Sequence, residues 1–362
     1  MTDAFTNSKR HIAALDGVRF LAALLVFVAH FFHANFPAET GNFLLEFMRD
    51  LAPVGMSLFF VLSGYVIHYN YREMCGRKDY WRFAIARFSR LYPLYILVII
   101  ASLTWNLQTR GIAWPGADNL WVLPFYLLGI QSWFYKVDGV ALIPALGDWV
   151  AMTWSISTEI FFYLVYAIAS PLLTLAAESV GPKAKRRALK LRHVCLATAI
   201  AYILVFLFLG SSDGSAKWLY YNAPYLRVGE FLMGCLVVGR AGKWMPPLAI
   251  LLFTHAVLSA LDLSYVFAPV FYAPIFAYLV SLSLVNPLWL LSWKPVARLG
   301  KASYSVYLLH APFISFPVRF LGPLSAALSP LLTAAVSLIC YKLYERPMQK
   351  ALRRSLEMAL TN

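Results

Sequence analysis

Charge is scarce in this sequence, and the scarcity excludes most soluble proteins. Only 13% of the 362 residues are charged, against about 25% in ordinary globular domains. Acidic residues are the rarest, with 17 Asp and Glu beside 31 Lys and Arg. Hydrophobic residues make up 60% of the chain, in runs of about 20 residues, the length of a membrane-crossing helix. The composition therefore predicts an integral membrane protein with many spans.

Cysteine is also rare, with four residues far apart and no Cys-x-x-Cys pair, so neither a disulfide framework nor a zinc site is expected. The first apolar run exceeds a signal-peptide core and lacks a small-residue cleavage site, so we expect it to be retained. A net charge of +14 does not indicate nucleic-acid binding here. The basic residues lie in gaps between spans, where the positive-inside rule and contact with anionic membrane lipids account for them.

Ten apolar runs are expected to form membrane helices, near residues 13–36, 51–71, 91–108, 149–177, 194–210, 223–239, 246–262, 266–291, 302–321 and 324–344. Lys and Arg concentrate in alternate gaps, which predicts that both termini are cytoplasmic. Residues 119–134 are apolar, but a complete crossing there would invert everything that follows, so we expect a re-entrant or interfacial segment. The sequence thus predicts an all-α, polytopic membrane bundle of about ten transmembrane helices plus this segment, in a single domain over residues 1–362.

The first run carries two ionisable residues, Arg19 and His30. Their eleven-residue separation is about three helical turns, so both side chains project from one face about 16 Å apart along the axis. With Arg19 near the cytoplasmic interface, His30 is expected near mid-membrane. Ionisable groups at that depth usually face the bundle interior or a cavity. The alternative is a histidine that is simply hydrogen-bonded to a neighbouring helix.

The stretch LDGVRFLAALLVFVAH (15–30) resembles the first helix of the acyltransferase-3 family, in which Arg or Lys is followed after ten residues by His. The likeness continues through six further motifs that span nearly the whole chain. One of them departs conservatively, with Tyr65 where the family usually has Phe. The six are FFVLSGY (59–65), RFSRLYPLY (87–95), TWSISTEIFFY (153–163), RVGEFLMG (227–234), GKASYSVYLLHAP (300–312) and YERP (344–347).

The resemblance implies a bacterial inner-membrane O-acyltransferase that modifies surface polysaccharides, glycolipids or related acceptors. It implies a cytoplasmic acyl-CoA as co-substrate, with acetyl-CoA the expected donor, a hydroxyl of a carbohydrate or glycolipid on the external side as acceptor, and no tightly bound cofactor. Some members of the family carry an appended periplasmic esterase-like domain, which we do not expect in this chain. The acceptor would then enter the bundle directly, or a separate periplasmic partner protein would complete the transfer.

Three residues are the catalytic candidates. His30 is suited to general-base catalysis, because neutral imidazole accepts a proton near pH 7; a transient acyl-histidine is equally open. Arg19 is expected to hold the donor or stabilise the oxyanion, with Asp16 steadying it. Glu159 lies in an apolar span and is expected to position His30 or the acceptor hydroxyl, the alternative being a buried ion pair with Arg227.

Arg87 and Arg90, three residues apart on one helix face, are the candidates for acyl-CoA binding, because two guanidinium forks can grip a diphosphate. The alternative is an ordinary basic loop against anionic lipid. Glu345, followed by Pro347, is expected to end the last helix and to pair with a cytoplasmic arginine. Further residues are expected to support or line the cavity: Asp16, Ser63, Tyr304, His310 and the pair Arg227 and Glu230.

Two local patterns are typical of other kinds of site. HFFH places His30 and His33 at helical spacing, but a third ligand is not evident, so no metal site is expected. HIAALD (11–16) satisfies His-x4-Asp of glycerolipid acyltransferases, whose soluble-type domain does not follow here. The rival function is a transporter or flippase with intramembrane charges along its pathway. The lack of internal repeats counts against that rival.

Overall fold

The described residues of the computed structural model are mostly helical, and an isolated bridge between Tyr135 and Ala141 is the β-type contact found among them. The residues described are 12–36, 42–110, 117–136, 141–146, 149–177, 193–194, 196–205, 207, 214–238, 247–283, 289–321 and 323–360. The predicted all-α class is confirmed.

The helices follow the apolar runs of the sequence. In chain order they are α1 (Ala13–Asn35), α2 (Phe43–Arg49), α3 (Leu51–Tyr71), α4 (Gly76–Arg110), α5 (Leu123–Leu128), α6 (Trp154–Ala177), α7 (Leu196–Val205), α8 (Gly214–Asn222), α9 (Pro224–Leu236), α10 (Pro247–Ala260), α11 (Ser264–Ser283), α12 (Trp289–Ser292), α13 (Lys294–Lys301), α14 (Ser303–Leu321), α15 (Pro323–Cys340) and α16 (Arg346–Ala359).

Five helical segments are long and apolar enough to cross a membrane, by length and composition. They are Ala13–Asn35, Phe43–Tyr71, Gly76–Thr109, Val150–Leu173 and Ser264–Ser281. A polytopic membrane protein is therefore supported, whereas the predicted number of about ten spans is not confirmed. The predicted span at 223–239 is the 13-residue helix α9, which is about 20 Å long and too short for a hydrocarbon core of about 30 Å.

Local sequence explains several helix ends. Asn42 caps α2, because its side chain accepts hydrogen bonds from the backbone N–H groups of Leu44 and Leu45. Gly129 ends α5 in the left-handed conformation, with φ of 68°. Residues 119–134 accordingly lie in the 3-10 turn Ala117–Val122, in the short helix α5 and in a chain reversal that follows α5. They do not form a crossing helix, in keeping with the expectation for this segment.

Two features set the shape of the end of the bundle that holds the basic motifs. Helix α4 has 35 residues and is about 52 Å long, which exceeds the thickness of the hydrocarbon core. A π-helical turn, Tyr341–Glu345, joins α15 to α16. The expectation that Glu345 ends the last helix is wrong: helix α16 follows directly after the π turn, with Pro347 as its second residue.

Helices α3 and α9 cross at unusually close range through a pair of glycines. A Cβ atom added to Gly64 would lie 1.9 Å from the carbonyl oxygen of Phe231, and one added to Gly234 would lie 1.9 Å from that of Val61. Backbone atoms cannot move aside as a flexible side chain can. Both motifs, FFVLSGY and RVGEFLMG, therefore contain a glycine that the helix crossing requires.

We expect Gly64→Ala and Gly234→Ala to destabilise the protein by about 1–3 kcal/mol, the usual cost of overpacking a tight contact. The midpoint of thermal unfolding, followed by the size-exclusion profile of detergent-purified protein after heating, measures this. Ala84→Val, at an exposed position of α4, is the control. Unfolding midpoints equal to that of the control would contradict the close crossing.

Candidate active site

A cavity of about 570 Å³ lies among α1, α3, α4, α6, α14 and α16, within the roughly 300–1,000 Å³ range of small-molecule sites. It brings together residues that are far apart in the sequence. Seven of the sequence-predicted site residues line it: Asp16, Arg19, Ser63, Arg87, Arg90, Glu159 and Tyr304. Six of the seven quoted motifs thus converge on one space.

The lining carries five cationic and two acidic side chains. Lys301 and Arg346, together with Gln349, are additions that sequence reasoning missed as site residues. Lys301 and Arg346 stand within the quoted motifs GKASYSVYLLHAP and YERP. The sequence alone did not distinguish them from the many other basic residues of the chain. Of the lining cations, Arg87, Lys301 and Arg346 have no carboxylate within ion-pair distance among the described residues. The cavity is therefore suited to a polyanionic ligand.

Two of the arginines are held in place by carboxylates. Nη1 of Arg19 lies 2.9 Å from Oδ1 of Asp16, one turn earlier on α1. Arg90 pairs with the buried Glu345 of the π turn, whose other oxygen accepts a hydrogen bond from Ser305. The predicted pairing of Glu345 with an arginine is confirmed. These contacts hold both guanidinium groups in place, and both arginines line the cavity.

Arg87 is held by aromatic rings instead of a carboxylate. Its Nη2 donates to the hydroxyl of Tyr71 over 3.0 Å, and its guanidinium lies 5.2 Å and 5.9 Å from the ring centres of Tyr71 and Tyr163. Its Nε is buried and makes no hydrogen bond within the part of the chain that the structure describes. A buried donor without a partner is costly, so Arg87 has unused capacity for an anionic ligand.

Glu159 accepts hydrogen bonds at Oε1 from Ser63, over 3.0 Å, and from Tyr163, over 2.6 Å. The alternative of an ion pair with Arg227 is not found, because Arg227 has another partner. Contact between Glu159 and His30 is likewise not found in the described residues. Glu159 lines the cavity, and its expected role toward an acceptor hydroxyl stays a prediction.

Arg227 and Glu230 form a fully buried ion pair, with Nε and Oε2 2.6 Å apart. Ser57 donates to Glu230 over 2.5 Å, and the guanidinium lies 5.0 Å from the ring centre of Phe60, which does line the cavity. The pair was expected to line the cavity and instead lies behind its wall. The close crossing of α3 and α9 places it there, and its role is structural.

His30 and His310 are hydrogen-bonded to each other, with Nδ1 of His30 3.0 Å from Nε2 of His310. Nδ1 of His310 bonds to the carbonyl oxygen of Tyr307. A carbonyl only accepts, so this Nδ1 carries the proton, and in a neutral ring Nε2 is then the acceptor. Nδ1 of His30 must therefore be the donor of the pair. In neutral His30, Nε2 is left with a free lone pair.

Tyr307 separates this histidine pair from the cavity. Its ring lines the cavity, whereas neither histidine does, and its ring centre lies 5.8 Å from that of His310. Its hydroxyl accepts from Ser155 over 2.7 Å and donates to the carbonyl oxygen of Met152 over 2.9 Å. The histidine pair and the basic cavity are thus neighbours across one side chain.

The chain is similar to known proteins over most of its length. A family model described as an acyltransferase domain matches residues 12–344. The chain is 26% identical over 342 residues to "Acyltransferase MdmB" of Streptomyces mycarofaciens, covering 86% of this chain and 81% of that protein. No solved structure matches.

Two further relatives are longer proteins. The "Putative peptidoglycan O-acetyltransferase YrhL" of Bacillus subtilis (strain 168) is 24% identical over 95% of this chain and 56% of its own length. The "O-acetyltransferase OatA" of Staphylococcus aureus (strain NCTC 8325 / PS 47) is 25% identical over 95% of this chain and 58% of its own length. The chain therefore spans little more than half the length of these two relatives.

Proposed function

Since the chain belongs to the acyltransferase-3 family and is thus an acyltransferase acting on hydroxyl groups, we propose that it moves an acetyl group from cytoplasmic acetyl-CoA to a carbohydrate or glycolipid. The observation that carries this proposal is the basic cavity beside the His30–His310 pair, with Tyr307 between them. The cavity offers charge for a phosphorylated donor. The pair offers a base for an attacking alcohol.

On the donor side, Arg87 and Arg90 bind the diphosphate of CoA from the cytoplasmic end of the bundle. Arg87 brings a buried, unpaired Nε, and Lys301 and Arg346 add charge that no carboxylate neutralises among the described residues. Binding an anion here relieves the mutual repulsion of these cations. The thioester then lies deeper in the cavity, toward Tyr307, and the Tyr307 side chain must move for the acetyl group to reach His30.

On the acceptor side, Nε2 of His30 removes the proton of the hydroxyl as its oxygen attacks the thioester carbonyl. The tetrahedral intermediate carries an oxyanion on the former thioester carbonyl. Arg19, which lies about 16 Å from His30 along α1 and pairs with Asp16, holds the donor. Collapse of the intermediate breaks the C–S bond, and the proton on His30 passes to the leaving thiolate, so that CoA and the acetyl ester are released. Glu159 positions the acceptor hydroxyl. Attack by His30 itself, through an acetyl-histidine, uses the same nitrogen and stays open.

The proposed setting is a bacterial inner membrane, with both termini in the cytoplasm and the acceptor on the external side. The support is the distribution of Lys and Arg between spans. The name of one relative mentions peptidoglycan, which agrees with a saccharide acceptor. A separate periplasmic partner completing the transfer belongs to the same proposal.

His310 is expected to act as a positioning residue that fixes the tautomer of His30. His310→Leu removes the acceptor of the Nδ1 proton, so we expect kcat to fall about 10²-fold with little change in the KM for acetyl-CoA, as for other losses of orientation. His310→Gln keeps an acceptor oxygen and should restore most of kcat. Equal losses in both variants would contradict this role.

The experiment that tests the function measures release of free thiol from acetyl-CoA by protein in lipid nanodiscs, with envelope saccharides and glycolipids as acceptors. Acetylated products are identified by mass spectrometry. An acyltransferase releases one thiol for each acetyl ester formed. Passage of a glycolipid across proteoliposomes without release of thiol would favour the rival transporter or flippase instead.

A further inference from the structure

A second basic groove lies outside the cavity, between the first turns of α4 and the helix α16. It encloses about 550 Å³ and is lined by Lys78, Arg82, Lys350, Arg353, Arg354, Glu357, Met358 and Leu360. Five of these side chains are cations and one is acidic. The acid is already engaged, since Glu357 lies 2.7 Å from Nε of Arg353. The groove therefore has an excess of positive charge.

The unpaired cations of the groove are Lys78, Lys350 and Arg354, none of which has a carboxylate within ion-pair distance in the described parts of the chain. All three are exposed. Three unpaired cations around one groove form a site suited to a phosphate group, because their mutual repulsion falls when an anion binds.

The groove adjoins the cavity along α16. On α16, Arg346 lines the cavity and Lys350, one turn of about 5.4 Å later, lines the groove. On α4, Arg90 lines the cavity, and Arg82 and Lys78 lie eight and twelve residues earlier, about 12 and 18 Å along the helix axis. A ligand whose diphosphate occupies the cavity therefore meets the groove as it leaves.

We propose that this groove is the nucleotide subsite of the donor and binds the 3′-phosphate of CoA. The inference rests on the proposed function, because it takes acyl-CoA as the ligand of the adjoining cavity. CoA carries its 3′-phosphate on the ribose whose 5′ carbon bears the diphosphate, which matches the one-turn separation on α16 between Arg346 in the cavity and Lys350 in the groove. A lipid phosphate offers the same chemistry, and the experiment separates the two sources.

The test is calorimetric binding of CoA and 3′-dephospho-CoA to the full-length protein in nanodiscs made of zwitterionic lipid. We expect CoA to bind about tenfold more tightly than dephospho-CoA. The double variant Lys350→Gln/Arg354→Gln should bind both ligands equally, at the affinity of dephospho-CoA. Arg77→Gln, which removes an exposed cation of α4 that does not line the groove, should keep the preference.

Equal binding of the two ligands by the unaltered protein would overturn the inference, as would a double variant that retains the preference. A double variant that changes only its response to anionic lipid, added to the nanodiscs in a second series, would assign the groove to a lipid headgroup. A failure of the proposed function would be seen separately from a failure of this inference. A retained preference for CoA without release of thiol from acetyl-CoA would reject acetyl transfer and leave the subsite standing.

Discussion

His30→Ala is expected to lower the rate of acetyl transfer from acetyl-CoA by about 10²–10⁴-fold, the usual contribution of a general base. Nε2 of His30 is the nitrogen with a free lone pair, because Nδ1 donates to His310. Alanine removes that base without filling the space. The KM for acetyl-CoA should change little, since the phosphates bind at the arginines. Initial rates of thiol release in the presence of acceptor measure both constants.

The control for this substitution is His33→Ala. His33 is exposed, lies one turn further along α1 and has no hydrogen bond to His310. It should keep nearly full activity. Persistent turnover in His30→Ala at more than about a tenth of the normal rate would remove His30 from the chemistry. Mass spectrometry of protein quenched before acceptor is added separates general-base catalysis from an acetyl-histidine, since only the second leaves an adduct on His30.

Arg87→Ala is expected to raise the KM for acetyl-CoA about 10- to 100-fold, the worth of one or two charge-assisted hydrogen bonds. Arg87→Lys should recover little of this, because an ammonium group cannot reproduce the fork. Arg87 is a cleaner target than Arg90, whose removal leaves the buried carboxylate of Glu345 without its partner. Steady-state kinetics give the KM, and thermal unfolding shows whether the fold is intact.

The matched control is Arg72→Ala. Arg72 is an exposed arginine that pairs with Glu73 and does not line the cavity. Its substitution should leave the KM for acetyl-CoA unchanged. Docking of the donor at Arg87 would be refuted if both variants of Arg87 bound acetyl-CoA with normal affinity while the unfolding midpoint stayed the same.

The sequence predicts those helices that form from long apolar runs. The expected spans at 13–36 and 51–71 correspond to α1 and α3 within one residue. The span at 223–239 is not confirmed, because α9 has 13 residues and buries most of its apolar side chains against other helices. Hydropathy reports burial but does not distinguish burial against helices from burial in lipid. The π turn before α16 was not predicted either, and its Glu345 contacts Arg90 and Ser305, which are far away in the sequence.

The candidate site could likewise be predicted only where its residues lie on one helix. Spacing within one helix placed Arg19 with Asp16, and the motif around Arg87 and Arg90 placed both on one face of α4. Spacing did not reveal that His310 is the partner of His30, because 280 residues separate them. Nor did it show which cations remain unpaired. Such pairings depend on helix packing, which the sequence specifies only through side-chain shape.

The most direct measurement is a cryo-electron microscopy structure of His30→Ala with acetyl-CoA, in which the donor binds but is not consumed. The account predicts phosphate density within hydrogen-bond distance of Arg87 and Arg90, with the Tyr307 side chain displaced and the acetyl carbonyl facing position 30. Donor density away from these arginines, or an acetyl group held on the far side of an unmoved Tyr307, would contradict it.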